Sequence, residues 1–300
     1  MSDALKDKKV VIIGLGLIGG SIARALSARN IAGEIVGVGR KQDVLQQAQE
    51  TGAITSWSTE LSTACEDADL VILTVPPLTV HSVLETIKPT LPAQAVITDA
   101  ASVKSAIVQA AKAVFGETPA RFIPGHPIAG SEHSGFSAST ADLFQGKKVI
   151  LTPLEKSDTE AVELVTSLWE ALGAEVLTMT VERHDEVLAA TSHLPHLLAF
   201  SLVDTLSQQG ESEEIFRYAA GGFRDFTRIA SSDPQMWHDI FMTNGPATVK
   251  ILDSYIEDLQ RLRKALLSGD SEELMKTFKR ANKSRARFLE FFEKGGNNSA

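Results

Sequence analysis

Short apolar runs rich in β-branched residues alternate with helical patterns through the first part of the chain, up to about residue 180. Such alternation is typical of a parallel sheet whose strands are joined by helices. A helical pattern over Ser157–Leu172 leads into the last of these runs. The predicted strands are Val10–Ile13, Glu34–Val38, Leu70–Val75, Ala95–Thr98, Arg121–Pro124, Lys148–Thr152 and Glu175–Thr180.

The strand pattern ends near residue 180, and helical periodicity replaces it. His184–Ser207 predicts a long apolar helix, and Val249–Leu267 and Ser271–Phe292 predict amphipathic helices. We therefore predict an α/β protein, with a Rossmann-type parallel-sheet domain over residues 1–180 and an all-helical domain over residues 181–300. Because apolar residues surround much of the first long helix, it is either buried in a bundle or shared with a second subunit.

The first predicted strand leads directly into Gly14-x-Gly16-x-x-Gly19, and a helical pattern follows. A strand before the glycines and a helix after them is the context of a dinucleotide-binding fingerprint. The N–H groups in the first turn of such a helix bind the pyrophosphate. The predicted cofactor contacts in this motif and after later strands are Gly14, Leu15, Gly16, Leu17, Ile18, Gly19, Val75, Pro76 and Asp99.

The residues after the second predicted strand indicate which dinucleotide binds. NAD-selective folds place an acidic residue there to bind the ribose 2′-hydroxyl. This chain has Arg40 and Lys41 instead. A guanidinium can bind a 2′-phosphate through paired, charge-assisted hydrogen bonds. The sequence therefore favours NADP, and NAD remains the alternative because Asp43 follows closely.

Composition and charge exclude several classes of protein. Hydrophobic residues make up 43% of the chain and charged residues 22%, as in soluble globular proteins. The net charge of −9 argues against nucleic acid as a partner. No uninterrupted apolar run approaches the ~20 residues that span a membrane, and the N-terminus has no hydrophobic signal core. A single cysteine, Cys65, fits a reducing compartment, so we expect a cytoplasmic protein without a membrane partner.

Polar stretches interrupt the apolar pattern where open α/β sheets bind ligands, beyond the carboxyl ends of strands. Taken singly, each has an ordinary explanation: Asp99 and Ser102 could cap a helix, and His193 and His196 could lie on an exposed helix face. No metal site is expected, because neither cysteines nor an H-E-x-x-H pattern accompanies the histidines. Together the stretches predict a cleft for a small dicarboxylate whose hydroxyl loses a proton as its carbon loses hydride.

At these stretches the sequence resembles the prephenate/arogenate (cyclohexadienyl) dehydrogenases of tyrosine biosynthesis. The resemblance implies a Rossmann domain followed by a helical domain that mediates dimerisation, so that a homodimer is expected. Beyond the glycine fingerprint, the motifs that carry it are Asp99-x-x-Ser102-Val103-Lys104, Gly125-His126-Pro127-Ile128-Ala129-Gly130, Ser192-His193-Leu194-Pro195-His196, Gly221-Gly222-Phe223-Arg224-Asp225-Phe226-Thr227-Arg228-Ile229-Ala230 and Ser232-Asp233-Pro234-x-Met236-Trp237.

The resemblance implies an oxidative decarboxylation. Hydride leaves C4 of a cyclohexadienyl ring for the nicotinamide, the ring carboxylate departs as CO₂, and the ring becomes aromatic. His126 would hydrogen-bond the C4 hydroxyl, Ser102 would support that contact, and Arg228 would bind a substrate carboxylate. The further pocket residues that the resemblance implies are His193, His196, Ser131 and, in a secondary role, Arg224. Prephenate and arogenate both remain open as substrates, as does inhibition by tyrosine at the active site.

Two other functions compete with this interpretation. A β-hydroxyacid dehydrogenase also combines a Rossmann domain with a helical domain, but it usually relies on a helical-domain lysine. No lysine lies near Ser192–His196 or Arg224–Arg228. A dinucleotide-sensing regulator would bind without turnover, and it would not need His126, Ser102 and Arg228 together.

Overall fold

The computed structural model of the chain describes residues 3–130, 133–209 and 212–296. The strands are β1 Lys9–Ile13, β2 Glu34–Val38, β3 Ser56–Ser58, β4 Leu70–Leu73, β5 Val96–Asp99, β6 Phe122–Ile123, β7 Gly125–Ile128, β8 Lys148–Leu151 and β9 Glu175–Thr178. The helices are α1 Leu17–Ala28, α2 Gln42–Glu50, α3 Leu61–Cys65, α4 Val80–Ile87, α5 Ser105–Phe115, α6 Thr159–Ala171, α7 Val181–Leu188, α8 Leu194–Ser207, α9 Ser212–Arg217, α10 Gly221–Thr227, α11 Pro234–Thr243, α12 Gly245–Ser268 and α13 Ser271–Gly296.

A six-stranded parallel sheet forms the centre of the first part of the chain, in the order β3-β2-β1-β4-β5-β6. This is the strand order of a dinucleotide-binding Rossmann fold, and it confirms the predicted fold class. The order reverses between β1 and β4, so a crevice opens beyond the carboxyl ends of these two strands. Ligands of open α/β sheets bind at such a point.

Alternate residues of the strands supply the two faces of the core. Val10 and Ile12 of β1 belong to one buried cluster, whereas Val11 and Ile13 belong to another on the opposite face. Both faces are apolar because helices cover the parallel sheet on each side. Cys65 is fully buried in the second cluster, and burial raises the pKa of its thiol to about 11. It is therefore a packing residue.

A second, three-stranded sheet departs from the prediction of one continuous parallel sheet. Strand β7 pairs antiparallel with β8, which pairs parallel with β9. No strand was predicted at β7, because glycine and proline flank His126 there. Pairing with β8 overrides these local preferences and sets His126 opposite Ile150. The short strand β3 was also not predicted, since Ser56–Ser58 has no apolar alternation.

Every strand in the described residues ends by Thr178, and helices follow from Val181. Helix α7, a π-helical turn at Ala189–His193 and helix α8 form one continuous stretch. Pro195, the second residue of α8, has no N–H group to continue regular α-helical bonding, which accounts for the wider turn before it. By length and composition alone Val181–Ser207 could cross a membrane, a criterion that core helices of soluble proteins also meet.

The chain divides into two compact units, Met1–Gly245 and Pro246–Ala300. The second unit contains two long helices, joined at Gly269 with a positive φ of 68°. Arg261 of α12 pairs with Glu273 of α13 and with Asp258 on its own helix. Several large apolar side chains of these helices are exposed, namely Ile256, Leu259, Leu266, Leu267, Met275, Phe278, Phe288 and Leu289.

The glycine loop between β1 and α1 depends on two of its glycines for steric reasons. Gly14 has φ of 102°, and a side chain there would lie 2.8 Å from the Thr74 carbonyl oxygen. A side chain at Gly19 would overlap the Gly14 carbonyl and the Thr74 hydroxyl. A side chain at Gly16 would instead enter open space. The loop is therefore tightly packed on one side and open on the other.

We predict that Gly19→Ala lowers the free energy of unfolding by about 1–3 kcal/mol or more, because the added methyl overpacks the loop. The matched variant Gly16→Ala should change it by less than about 1 kcal/mol, the cost of a poorer helix N-cap. Urea unfolding followed by circular dichroism measures both. Equal losses in the two variants would contradict the close packing at Gly19.

Candidate active site

The glycine loop lies at the carboxyl end of β1, beside the crevice between β1 and β4. The Gly14 N–H donates to the Val38 carbonyl at 2.8 Å, which ties the loop to β2. Gly16 is the N-cap residue of α1 and supplies no side-chain cap, so the first-turn N–H groups remain for a ligand. Open space beside Gly16 and an uncapped helix N-terminus fit a dinucleotide pyrophosphate.

The other predicted cofactor contacts surround this loop. Leu15 is buried, whereas Leu17 and Ile18 are half-buried in the first turn of α1. Val75 is half-buried and Pro76 is exposed, directly after β4 and across the crevice. The structure therefore brings these residues to the two strand ends that border the crevice.

Arg40 and Lys41 follow β2 directly, and both side chains are exposed. Lys41 is the N-cap residue of α2, and Asp43 lies in the first turn of that helix. No acidic side chain occupies the end of β2 itself, since Val38 and Gly39 precede Arg40. The two cations are thus presented to solvent at the position where Rossmann folds bind the ribose of the cofactor.

A fully buried ion pair joins the loop after β5 to β7. The Lys104 ammonium contacts the Asp99 carboxylate and donates to the Gly125 carbonyl at 2.6 Å. Asp99 also accepts from the Ala101 and Gly125 N–H groups, at 2.8 and 3.2 Å. Burial lowers the pKa of Lys104, and the Asp99 charge opposes that shift. The Asp99 side chain therefore anchors the loop, and its contact with the cofactor stays a prediction.

Asp185 of α7 caps α5 from a distant part of the sequence. Its carboxylate oxygens accept from the Lys104 and Ser105 N–H groups, each at 2.8 Å. A carboxylate is the favoured partner for a helix N-terminus. The sequence offered Asp99 and Ser102 as caps for this helix, and no local signal indicated Asp185.

A chain of hydrogen bonds links His126 to Asp185 through a second imidazole. The Nδ1 atom of His126 lies 2.9 Å from the Nε2 atom of His184, and the two rings meet edge to face. His184 Nδ1 lies 2.8 Å from the Asp185 carboxylate. His184 is fully buried, and His126 is 8% exposed. No role was predicted for His184, because a single histidine in a helical pattern cannot be distinguished from any other polar residue of a helix.

Two further histidines lie on the π-helical turn and the first turn of α8. The Asn244 amide contacts His193 Nδ1 at 3.1 Å, while His193 Nε2 is buried without a hydrogen-bond partner among the described residues. The His196 ring stacks on Trp237 at 3.7 Å between centroids and donates from Nδ1 to the Ser192 carbonyl at 2.8 Å. This arrangement leaves His196 Nε2 as an acceptor.

Burial keeps all four of these imidazoles neutral near pH 7. It lowers the pKa of His184 and His196, and it lowers the pKa of His126 well below 6.5. The pKa of His193 falls to about 4 for the same reason. Neutral imidazoles can accept a proton or a hydrogen bond from a substrate. The cluster therefore has the chemistry of a general-base site.

The remaining predicted site residues that the structure describes are Ser102, Arg228 and Arg224. Ser102 is half-buried on the loop between Asp99 and Lys104. Arg228 is exposed, and its charge acts on the pKa of His196, which places it nearby. Arg224 is largely exposed on α10 and pairs with its neighbour Asp225 at 3.6 Å.

Ser131 lies outside the described residues. Among residues 3–130, 133–209 and 212–296, no group of three or more His, Cys, Asp or Glu side chains is placed to hold a metal ion.

Comparison with known proteins gives matches along most of the chain. Residues 22–178 match the family model described as prephenate dehydrogenase, nucleotide-binding domain, and residues 180–280 match that described as prephenate dehydrogenase, dimerization domain. The chain is 38% identical to the cyclohexadienyl dehydrogenase of Zymomonas mobilis, over 93% of this chain and 95% of that protein.

Solved structures give the same result. Prephenate dehydrogenase from Aquifex aeolicus, in complex with hydroxyphenyl propionate and NAD⁺, matches with a TM-score of 0.88 and 37% identity. The match covers 95% of this chain and 99% of that one. Synechocystis arogenate dehydrogenase matches with a TM-score of 0.80 and 29% identity, over 93% of this chain and 99% of that one.

We predict that Lys104→Met lowers the free energy of unfolding by about 3–5 kcal/mol, because it leaves the Asp99 charge buried and unpaired. The double variant Lys104→Met/Asp99→Asn should recover part of that loss. Lys156 of the exposed pair with Glu117 offers a control, and Lys156→Met should leave stability unchanged. Denaturant unfolding measures all three, and wild-type stability in Lys104→Met would contradict the role of the buried pair.

Proposed function

Because the chain belongs to the prephenate dehydrogenase family, we propose that it oxidatively decarboxylates a cyclohexadienyl acid in tyrosine biosynthesis, with prephenate, arogenate or both as substrates. A nicotinamide dinucleotide bound at the glycine loop accepts the hydride. The observation that carries the proposal is that the imidazole of His126 is neutral and has little exposed surface. His126 lies on β7, next to Gly125, which accepts a hydrogen bond from Lys104 on the loop after β5. A neutral imidazole can take a proton from a hydroxyl at neutral pH.

His126 and Ser102 are the proposed catalytic residues. The loop that carries Ser102 is anchored to the strand of His126 through the contact between Lys104 and Gly125. A hydroxyl on a half-buried loop can therefore be held near the imidazole while the C4 hydroxyl binds between them. Fixing these groups in advance is a large part of what an enzyme supplies when aromatisation drives the reaction.

Substrate binding is assigned to the helical side of the site. Arg228 is proposed to bind a carboxylate, because a guanidinium holds this group without titrating. The charge of Arg228 acts on His196, whose Nε2 atom is available as an acceptor. His193 has a buried Nε2 atom without a hydrogen-bond partner among the described residues. Ser131 and Arg224 remain proposed substrate contacts.

NADP⁺ is the proposed cofactor, with NAD⁺ as the alternative. Arg40 and Lys41 are exposed at the end of β2, and a 2′-phosphate between them would be paired with two cations. Glycine precedes them where NAD-selective folds carry an acid. The Aquifex aeolicus relative was crystallised with NAD⁺, so the preference is proposed from this chain's own residues.

The helical part is proposed to form a homodimer, with a boundary near residue 180 to the Rossmann domain. Leu197, Leu198, Leu202 and Leu206 of α8 are only half-buried within one chain. An apolar helix face of this kind is covered when a second subunit packs on it. The dimerization-domain match over residues 180–280 supports the same assembly.

We also propose a cytoplasmic location.

We predict that His126→Ala lowers kcat with prephenate or arogenate by ~10²–10⁴-fold, the usual cost of lost acid–base assistance. His81 is an exposed histidine on α4, and His81→Ala serves as the matched control with unchanged kcat. Steady-state assays at saturating cofactor measure both variants. Wild-type kcat in His126→Ala would remove this residue from the mechanism.

We predict that Arg40→Asp shifts the preference from NADP⁺ towards NAD⁺, because a carboxylate repels the 2′-phosphate and accepts from the ribose hydroxyl. The measurement is the ratio of kcat/KM for the two cofactors. Lys156→Asp makes an exposed change of the same charge and should keep the wild-type ratio. Retention of the NADP⁺ preference in Arg40→Asp would contradict the assignment.

A further inference from the structure

The hydrogen-bonded chain behind His126 allows each proton to be assigned, starting from Asp185. Burial acts to raise the pKa of Asp185, but hydrogen bonds from His184 and from the N–H groups of Ser105 and Lys104 outweigh it and lower the pKa. An ionised carboxylate only accepts hydrogen bonds. The Nδ1 atom of His184, 2.8 Å from this carboxylate, therefore carries a proton.

The proton on His184 Nδ1 determines the tautomer of His126. A neutral imidazole with one protonated nitrogen accepts at the other, so His184 Nε2 is an acceptor. It lies 2.9 Å from His126 Nδ1, which must then donate. His126 Nε2 is left with its lone pair, without a partner among the described residues but within reach of solvent. This is the tautomer that a general base requires.

Charges around the two imidazoles favour a proton on His184 over one on His126. Burial, His184, Lys104 and His193 all disfavour protonation of His126. Burial and Lys104 also act against protonation of His184, but the carboxylates of Asp185 and Asp99 favour it. A proton that arrives at the first ring is therefore stabilised by transfer to the second.

Resting on the proposed function, we propose that His184 and Asp185 are positioning residues that complete a proton relay with His126. The O–H bond of the C4 hydroxyl breaks, and its proton goes to His126 Nε2. The proton on His126 Nδ1 goes to His184 Nε2. The resulting imidazolium is paired with Asp185, while the C4 hydrogen leaves with its electron pair to the bound nicotinamide.

The relay runs backwards in the second half of the reaction. The bond between the ring and its carboxylate breaks, CO₂ leaves, and the electron pair completes the aromatic ring. The oxygen at C4 then carries the negative charge, and it takes its proton back from His126 Nε2. His184 returns a proton to His126 Nδ1, so the relay ends as it began and only the substrate and the oxidant have changed.

The first test needs no substrate. Imidazole ¹⁵N chemical shifts of the full chain distinguish the two neutral tautomers of each histidine. We expect His126 to be protonated at Nδ1 in the wild type and to lose this preference in His184→Phe, which offers no acceptor. Protonation of His126 at Nε2 in the wild type would overturn the relay, whatever the activity.

The second test is kinetic and uses His184→Gln. Its amide oxygen can still accept from His126 Nδ1 but cannot take up the proton. We expect kcat to fall about 10–100-fold at unchanged KM, the usual effect of losing a residue that orients another. The acid limb of kcat/KM should move to lower pH, because a proton taken up by His126 can no longer pass to His184, where Asp185 and Asp99 stabilise it.

His238 provides the matched control, because it also precedes an aspartate and lies 3.0 Å from the Asp239 carboxylate, on an exposed part of α11. We expect His238→Gln to keep the wild-type kcat and pH profile. A merely structural role for His184 would lower kcat without moving the acid limb, and that result would overturn the relay. Absence of turnover by the wild type with both acids would overturn the proposed function itself, a result separable from the tautomer measurement.

Discussion

The site depends on one buried cation, the ammonium of Lys104. A charge without exposed surface costs several kcal/mol unless its partners are fixed around it. Here those partners are the Asp99 carboxylate of β5 and the Gly125 carbonyl of β7, so the two sheets are held together at this point. The backbone N–H of the same residue is bound by Asp185 of α7. One residue thus fixes the relative positions of the loop, the strand and the helix that carry the reactive groups.

The same cation shapes the electrostatics of the cluster. It disfavours a second positive charge on His126, and burial acts in the same direction, so the imidazole rests in its neutral form. The negative charges of Asp185 and Asp99 favour protonation of His184. A base that stays deprotonated at neutral pH, with a second imidazole between it and the Asp185 carboxylate, suits the transient removal of a hydroxyl proton. The guanidinium of Arg228 lies near His196 and is the proposed partner of a substrate carboxylate.

The features predicted correctly are those that depend on residues close together in the sequence. The run of β-branched residues before Gly14 and the Gly14-x-Gly16-x-x-Gly19 spacing are local signals, and the Rossmann sheet was predicted correctly. Strand β7 was not, because its pairing partner β8 comes some twenty residues later and overrides its proline and glycine content. The roles of His184 and Asp185 were also missed, since they depend on contacts with residues far away in the sequence.

The central claim is that hydride loss and decarboxylation occur on one cyclohexadienyl substrate. Its most direct test measures CO₂ release and reduced nicotinamide together, with the wild-type enzyme and either prephenate or arogenate, using NADP⁺ and NAD⁺ in turn. We expect equal amounts of CO₂ and reduced cofactor, and one aromatic product per turnover, with at least one of the two acids. Reduction of the cofactor by β-hydroxy acids, with no CO₂ from either cyclohexadienyl acid, would contradict it.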